Sequence, residues 1–237
     1  MPDLLVIVPS RGRPQAVARV TEAWSATGAW TDADLAFVVD IDDPCLHDYH
    51  AAAAASSPPL TRAQVADVWR PLVPKLNLAA TAWAADYFAV GFAGDDHLPR
   101  TFGWAKAILA ALHDLGTGIV YGDDGFQHER LCTSWAMTSD IVQALGRMVP
   151  ADVEHMYCDN AVMDLGRLAG CLRYLPDVLV EHMHPLAGKA NLDAGYKRVN
   201  SAAQYRADEL AYGRWMRHGR AADVAAVKTL REVSPCR

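Results

Sequence analysis

Two acids and a histidine, Asp95, Asp96 and His97, close a nearly uncharged run at Tyr87–Arg100, YFAVGFAGDDHLPR. A strand buried on both faces reads as an unbroken apolar run, so the acids fall at a strand's C-terminal end, where open α/β sheets build their sites. Adjacent carboxylates repel each other unless positive charge lies beside them, and a hard divalent cation on oxygen ligands supplies it. A solvated turn with helix-capping acids is the plainer alternative. Acids also end the run Leu35–Asp40, with Asp42 and Asp43 just beyond, and the pair Asp123 and Asp124 follows the run Gly118–Gly122. The run ending at Val180 delivers Glu181, His182, Met183 and His184 before Pro185. In extended backbone both histidines face one side, and at a buried strand's end they read as metal ligands or phosphate contacts. The turn Ser10-Arg11-Gly12-Arg13 puts two guanidiniums beside the first strand's end, suited to a diphosphate or simply solvated. Neither GxGxxG nor GxxxxGKS/T occurs, so the two best-known phosphate-cradling loops are absent.

The elements that must position these residues follow from periodicity. Strands are expected at Leu4–Val8, Leu35–Asp40, Tyr87 onward, Gly118–Gly122 and Leu172–Val180, with an extended segment at Arg130–Thr138. Helices are expected at Gln15–Ser25, Lys75–Ala85, Arg100–Asp114, from Ser139 to Gly146, at Asp159–Ala169 and at Asn200–His218. Ala51–Ala55 reads as a helix end before a Ser/Pro loop, and Thr61 with Gln64 forms a capping-box pattern that predicts a short helix through Trp69. Strand-helix alternation predicts one α/β domain over residues 1–195, with a mostly parallel central sheet and helices on both faces, and a C-terminal helical extension over 196–237 packed on it. A chain of 237 residues with 51% apolar content can bury one substantial core. The net charge of −6, with basic residues scattered, disfavours nucleic acid as a partner. Five widely spaced cysteines without a CxxC pair suit packing thiols in the cytoplasm, and no run of ~18 apolar residues predicts membrane insertion.

In their order along the chain, Leu4 to Arg13, the Asp40 cluster, Lys75-Leu76-Asn77, Gly94-Asp95-Asp96-His97, Asp159 and His182-Met183-His184 resemble the motifs of GT-A-type glycosyltransferases. The resemblance spans roughly Leu4 to Asn191 and is closest to the inverting, family-2-like branch, including small phage and actinobacterial enzymes. It implies a Rossmann-like domain transferring a sugar from a nucleotide-diphosphate donor to an acceptor hydroxyl. It implies that Pro9, Ser10, Arg11 and Arg13 hold the nucleotide, that Asp40 and Asp42 meet the base or ribose, and that Lys75 and Asn77 belong to the donor-binding set. A DxD-type motif binds Mn²⁺ or Mg²⁺ in that family; with Gly94 in place of its first acid, Asp96 matches the metal ligand and Asp95 a ribose or supporting contact. His184, followed by Pro185, matches a third ligand, and Lys189 in Gly188-Lys189-Ala190-Asn191 could supply charge to the leaving group. Asp159 matches the catalytic base, with Asp123 and Asp124 as competitors. A sugar-phosphate nucleotidyltransferase or a non-catalytic sugar-nucleotide or glycan-binding protein are the alternatives, the latter because of Gly94 and the seven tryptophans. A glycan, a protein or a modified nucleobase all stay open as acceptor.

Overall fold

A computed structural model describes residues 2–58, 60, 62–66, 70–189 and 194–233. Along the chain run β1 (Leu4–Pro9), α1 (Gln15–Ala26), β2 (Ala33–Asp40), α2 (Leu46–Ala55), β3 (Arg62–Ala66), α3 (Leu72–Trp83), β4 (Ala89–Phe92) and β5 (His97–Pro99). There follow α4 (Trp104–Leu115), β6 (Ile119–Asp123), β7 (Trp135–Thr138), α5 (Ser139–Leu145), α6 (Cys158–Ala169), β8 (Leu172–His182), α7 (Ala194–Val199), α8 (Ala202–His218) and α9 (Arg220–Val233). The strands form one sheet in the order β3-β2-β1-β4-β7-β6-β8-β5. Only β7 and β5 run against the others among the described strands, so the sheet is mostly parallel as expected.

Every residue of β1 is buried, and alternate side chains enter separate cores because successive residues of a strand point to opposite faces. Leu5 and Ile7 pack with Leu76 and Ala80 of α3, on the face that also carries Ile141, Val162 and Val227 of α5, α6 and α9. Leu4, Val6 and Val8 pack with Val17, Val20 and Trp24 of α1, on the face that carries Ile108 and Leu112 of α4. The helices therefore cover both faces, the arrangement that a parallel sheet requires.

The sheet also explains where the local sequence signal fails. The expected helix from Thr61 to Trp69 is instead an edge strand at Arg62–Ala66, paired in parallel with β2 from Ala36 to Asp40; Thr61 and Trp69 themselves lie outside the described residues. Ladder pairing to a neighbour outweighs a capping pattern that nothing local continues. Helix α3 starts a turn early, at Leu72, because Pro74 falls in the first turn, where its missing N–H costs no bond. Thr138, not Ser139, takes the N-cap position of α5. Pro99 ends β5 rather than opening the next helix, which begins at Trp104. Gly219 caps the end of α8 after His218 as expected, and a further helix, α9, follows at once, unanticipated from sequence.

The last strand crosses the fold in two steps. Its first half runs parallel to β6, with Gly122 opposite Leu175, and after a register shift Asp123 stands opposite Leu179. A side chain on Gly122 would run into the Val178 carbonyl, so only glycine permits that approach. Beyond the shift, β8 pairs antiparallel with β5, which brings His182 opposite His97.

Helices α8 and α9 are tied in by a buried charge. Asp223 accepts both Arg147 Nη2 contacts, at 2.7 and 2.6 Å, and the Trp215 Nε1 hydrogen at 2.8 Å. Cys132, Cys158 and Cys171 are buried free thiols, and no described helix is long and apolar enough to cross a membrane. Asp223→Ala strands the Arg147 guanidinium, so urea unfolding is expected to show a loss of about 2–4 kcal/mol; a loss below ~1 kcal/mol would mean that α9 is held by apolar packing alone.

Candidate active site

The C-terminal ends of β1, β4 and β8, the segment before α6 and the start of α8 enclose a cavity of about 480 Å³. Its chemistry is set by three carboxylates at strand ends, each compensated differently. Asp40 is fully buried and accepts from Lys75 Nζ at 2.8 Å, Arg11 Nη1 at 3.0 Å and the Arg70 amide at 3.2 Å. Lys75 Nζ also lies 3.3 Å from the Ser10 carbonyl, and burial lowers its pKa against the pull of Asp40. Arg11 reaches on to Asp42 Oδ1 at 2.7 Å, and that hydrogen bond holds the exposed Asp42 below the usual carboxylate range. Asp43 accepts from the amides of Gly12 and Cys45, both at 2.8 Å, and so fixes the turn that carries both arginines.

Asp95 faces this turn rather than a cation. It accepts from Ser10 Oγ at 2.6 Å and Arg13 Nη1 at 2.9 Å, while burial pushes its pKa up against the Arg13 charge. Tyr49, which the sequence did not single out, lies 2.6 Å from Ser10 Oγ and accepts the Arg13 amide at 2.8 Å. The turn is thereby clamped from α2.

Asp96 is the member that meets imidazoles. Its Oδ2 lies 3.5 Å from His182 Nε2, its Oδ1 lies 3.2 Å from His97 Nδ1, and it accepts from the Tyr196 hydroxyl. Burial raises the Asp96 pKa, but His182 and His97 outweigh it and hold the carboxyl well below its ordinary value. His182 is lowered by burial and raised more strongly by Asp124 and Asp96, reaching about 9, so at neutral pH its imidazolium balances two acids. Asp96, His97 and His182 each offer a ligand atom within 4.8 Å of the others. Carboxylate and imidazole together suit Mn²⁺ or Mg²⁺ through the oxygen and Mn²⁺ through the nitrogens, and a divalent cation here would take over the charge of the imidazolium. His97 Nδ1 accepts the Gly94 N–H at 3.1 Å, while its Nε2 is buried without a hydrogen-bond partner.

Gly94 stands where the expected DxD-type motif would carry its first acid, and a Cβ there would lie 2.6 Å from Asp96 Oδ1 and 2.8 Å from His97 Nδ1. The sequence matched the imidazole ligand to His184, and the structure gathers His97 and His182 instead, because the β5–β8 register sets those two rings 4.0 Å apart. His184 stacks on Phe126 and stands edge-on to His182 and Tyr196. Tyr196 also lies under the Arg13 guanidinium, 4.7 Å from ring centre to Cζ, and had no signal in the sequence because its role comes from a fold in the chain a hundred residues downstream.

Asp159 lies in the first turn of α6 and lines the cavity, its Oδ1 accepting the Asn160 amide at 2.9 Å. Burial pushes its pKa up to about 6 against the helix-end amides. Its two competitors are committed elsewhere. Asp124 Oδ1 accepts the amides of Phe126, Gln127 and His128, and Asp123 takes Tyr174 and His128, so both pKa values are low and neither residue lines the cavity. The segment ahead of Asp159 is anchored from α8: buried Asp208 accepts the amides of Glu154, His155 and Met156 at 2.8, 3.1 and 2.8 Å.

Of the expected donor residues, Pro9, Ser10, Arg11, Arg13, Lys75 and Asp95 line the cavity together, with Asp40 and Asp42 behind them on Arg11 and Lys75. Asn77 does not join them: its amide is spent on the backbone of Met148 and Val149. Lys189 pairs with Glu181 at 2.8 Å, also outside the cavity lining, and residues 190–191 of its motif lie outside the described residues.

No protein-family model matches the chain, and no curated protein sequence does. Solved structures do. A mannosyltransferase from Pyrobaculum calidifontis in complex with GDP-Man and Mn²⁺ superposes with a TM-score of 0.58 at 13% identity, covering 97% of this chain and 74% of its own. Glucosyl-3-phosphoglycerate synthase from Mycobacterium tuberculosis, in complex with Mg²⁺ and UDP, gives 0.60 at 12% identity over 92% and 80%. S. aureus TarS in complex with UDP gives 0.58 at 12% identity over 98% and 90%. The fold of this chain is that of GT-A-like, Rossmann-type nucleotide-diphospho-sugar glycosyltransferases.

Proposed function

We propose that this protein transfers a sugar from a nucleoside-diphosphate donor to an acceptor hydroxyl with inversion, assisted by Mn²⁺ or Mg²⁺. The observation that carries this reading is one cavity uniting an arginine-bearing turn, the Asp96–His182 pair and a carboxylate whose pKa is raised to about 6. The likeness of the fold to enzymes solved with GDP-Man and Mn²⁺ or UDP and Mg²⁺ supports the donor class.

Pro9 to Arg13, held by Asp40, Asp43, Asp95 and Tyr49, receive the nucleotide diphosphate, with Arg13 and Arg11 presenting charge at the cavity wall. Asp96 and His182, with His97 behind them, would hold the cation, which when bound neutralises charge on the departing diphosphate. Asp159 takes the proton of the acceptor hydroxyl as that oxygen attacks the anomeric carbon in line. A single displacement needs one base and no carboxylate nucleophile on the opposite face of the sugar, and of the two lining acids that neither a guanidinium nor an imidazole holds, Glu154 takes Gln204 Nε2 while Asp159 sits in the first turn of α6 with its pKa raised. The Asn160 N–H keeps its oxygen aimed. Residues 196–237 belong to the working unit on this reading, since Asp208, Gln204 and Tyr205 complete the wall around the base.

Asp159→Asn keeps shape and capping but accepts no proton. Donor binding is expected to stay near wild type while turnover falls by roughly two or more orders of magnitude. A carboxyl whose folded-state pKa is raised loses stability as pH climbs from the unfolded value of ~3.9 through about 6, so Asp159→Asn is expected to raise Tm at pH 8 and not at pH 4. In the wild type, kcat/KM is expected to fall about tenfold per unit below pH 6. Retained turnover in Asp159→Asn would place the base elsewhere. Gly94→Ala, read by titration calorimetry with Mn²⁺, is expected to weaken binding by about tenfold or more with the fold intact, because the new methyl displaces Asp96; unchanged affinity would remove residues 94–97 from the cation site.

A further inference from the structure

We infer that the acceptor is an uncharged saccharide longer than one ring, laid across Tyr157 and Tyr205 and out over the first turns of α8; this inference rests on the glycosyl-transfer reading and assigns the open half of the same site. Next to Asp159 the cavity wall consists of Met156, Tyr157, Val199, Asn200, Gln204 and Tyr205. A second, shallow cavity of about 520 Å³ is lined by Asn200, Ala202, Tyr205, Arg206 and Glu209. Asn200 and Tyr205 border both, so the two form one groove leading from the base to the surface. At 1.5 Å of rise per residue, Ala202 to Glu209 spans roughly 10 Å of helix, more than one sugar ring needs.

The groove's side chains carry the chemistry of carbohydrate recognition. Tyr157 stacks on Tyr212 at 5.4 Å and 15°, and Tyr212 stacks in turn on Trp215 at 6.0 Å, so the ring at the cavity is backed by two more. Tyr205 is 44% exposed, and its hydroxyl bonds Asn200 Oδ1 at 3.3 Å. Such rings meet the apolar C–H face of a pyranose, while Asn200, Gln204, Arg206 and Glu209 can pair with adjacent hydroxyls as planar donors and acceptors.

The wall is fixed rather than adaptable. Tyr157 holds a left-handed backbone at φ 64°, a cost for a bulky residue that the surroundings must impose. The carboxylate of Asp208, which anchors residues 154–156 just ahead of it, also accepts Gln204 Nε2 at 2.9 Å, so one buried side chain contacts both banks of the groove.

Charge at the groove favours an uncharged acceptor. The basic side chains Arg11, Arg13 and Lys75 lie at the β1 end, on the side of the donor turn. At the groove end Arg206 is accompanied by Glu154 and Glu209, so no cluster of positive charge faces the acceptor there.

The test is saturation-transfer NMR and calorimetry with maltotriose, cellotriose, chitotriose and mannotriose, each in the presence of Mn²⁺ and UDP or GDP, beside 3-phosphoglycerate and a single-stranded oligonucleotide. At least one trisaccharide is expected to bind, more tightly than its monosaccharide. Tyr205→Ala, at an exposed position that the fold does not need, is expected to weaken it about tenfold or more while nucleotide affinity stays unchanged. Arg206→Ala gives a second reading at the outer end. Trisaccharide binding unaffected by both variants, binding of the anionic probes alone, or nucleotide binding with none of the trisaccharides overturns the acceptor assignment and leaves the donor reading standing. Failure of both nucleotides to bind removes the donor reading, and trisaccharide binding lost in Tyr205→Ala would then still support the groove.

Discussion

Three carboxylates at the C-terminal edge of one sheet, Asp40 and Asp95 buried and Asp96 partly so, must each find a positive partner, and the site is organised around that requirement. Stranding a buried charge costs about 3–5 kcal/mol, so Asp40, Asp95 and Asp96 dictate what surrounds them. Asp40 takes Lys75 and Arg11, and Asp95 takes Arg13 with Ser10. These pairs tie the β1 turn to β2, α3 and the end of β4. Asp96 alone is balanced by imidazoles, whose proton can be exchanged for another cation. The fold thus balances two carboxylates with guanidinium and ammonium groups at the β1 turn and one with imidazoles at the centre of the cavity.

The helices beyond residue 195 complete this arrangement. Tyr196 reaches Asp96 and Arg13, Asp208 sets the backbone ahead of Asp159, and Asp223 ties α9 to Arg147 under the core face that α6 also covers. The β1 turn, Asp159 and the wall at α8 therefore share supports drawn from both ends of the chain. This explains why Asp159, an acid with a costly raised pKa, stays in place: its helix start is held by neighbours that do not depend on its charge.

Much of this was legible in the residues. Apolar runs located β1, β2, β4 and β6, the last three ending in acids, and the strand-helix alternation gave a mostly parallel sheet with both faces covered. What could not be read was pairing. The short strand β3 exists only through its ladder to β2, and the identity of the imidazoles facing Asp96 follows from the register that sets His97 opposite His182 after the bulge at Gly122. Asn77 and Lys189 sat in the right order for a family motif but spend their polar atoms on Val149 and Glu181. Tyr49, Tyr196 and Asp208 act at long sequence separation, and none belongs to a local pattern. Gly94 read as a lost acid, and in the structure its missing side chain leaves room for Asp96 and His97.

The most direct measurement is product release from UDP- and GDP-sugars incubated with the full chain, with Mn²⁺, with Mg²⁺ and with a chelator. The account predicts that at least one donor yields free nucleoside diphosphate in the presence of metal and that the chelator abolishes it. Pyrophosphate released from a nucleoside triphosphate and a sugar phosphate, or diphosphate release indifferent to the chelator, would contradict it.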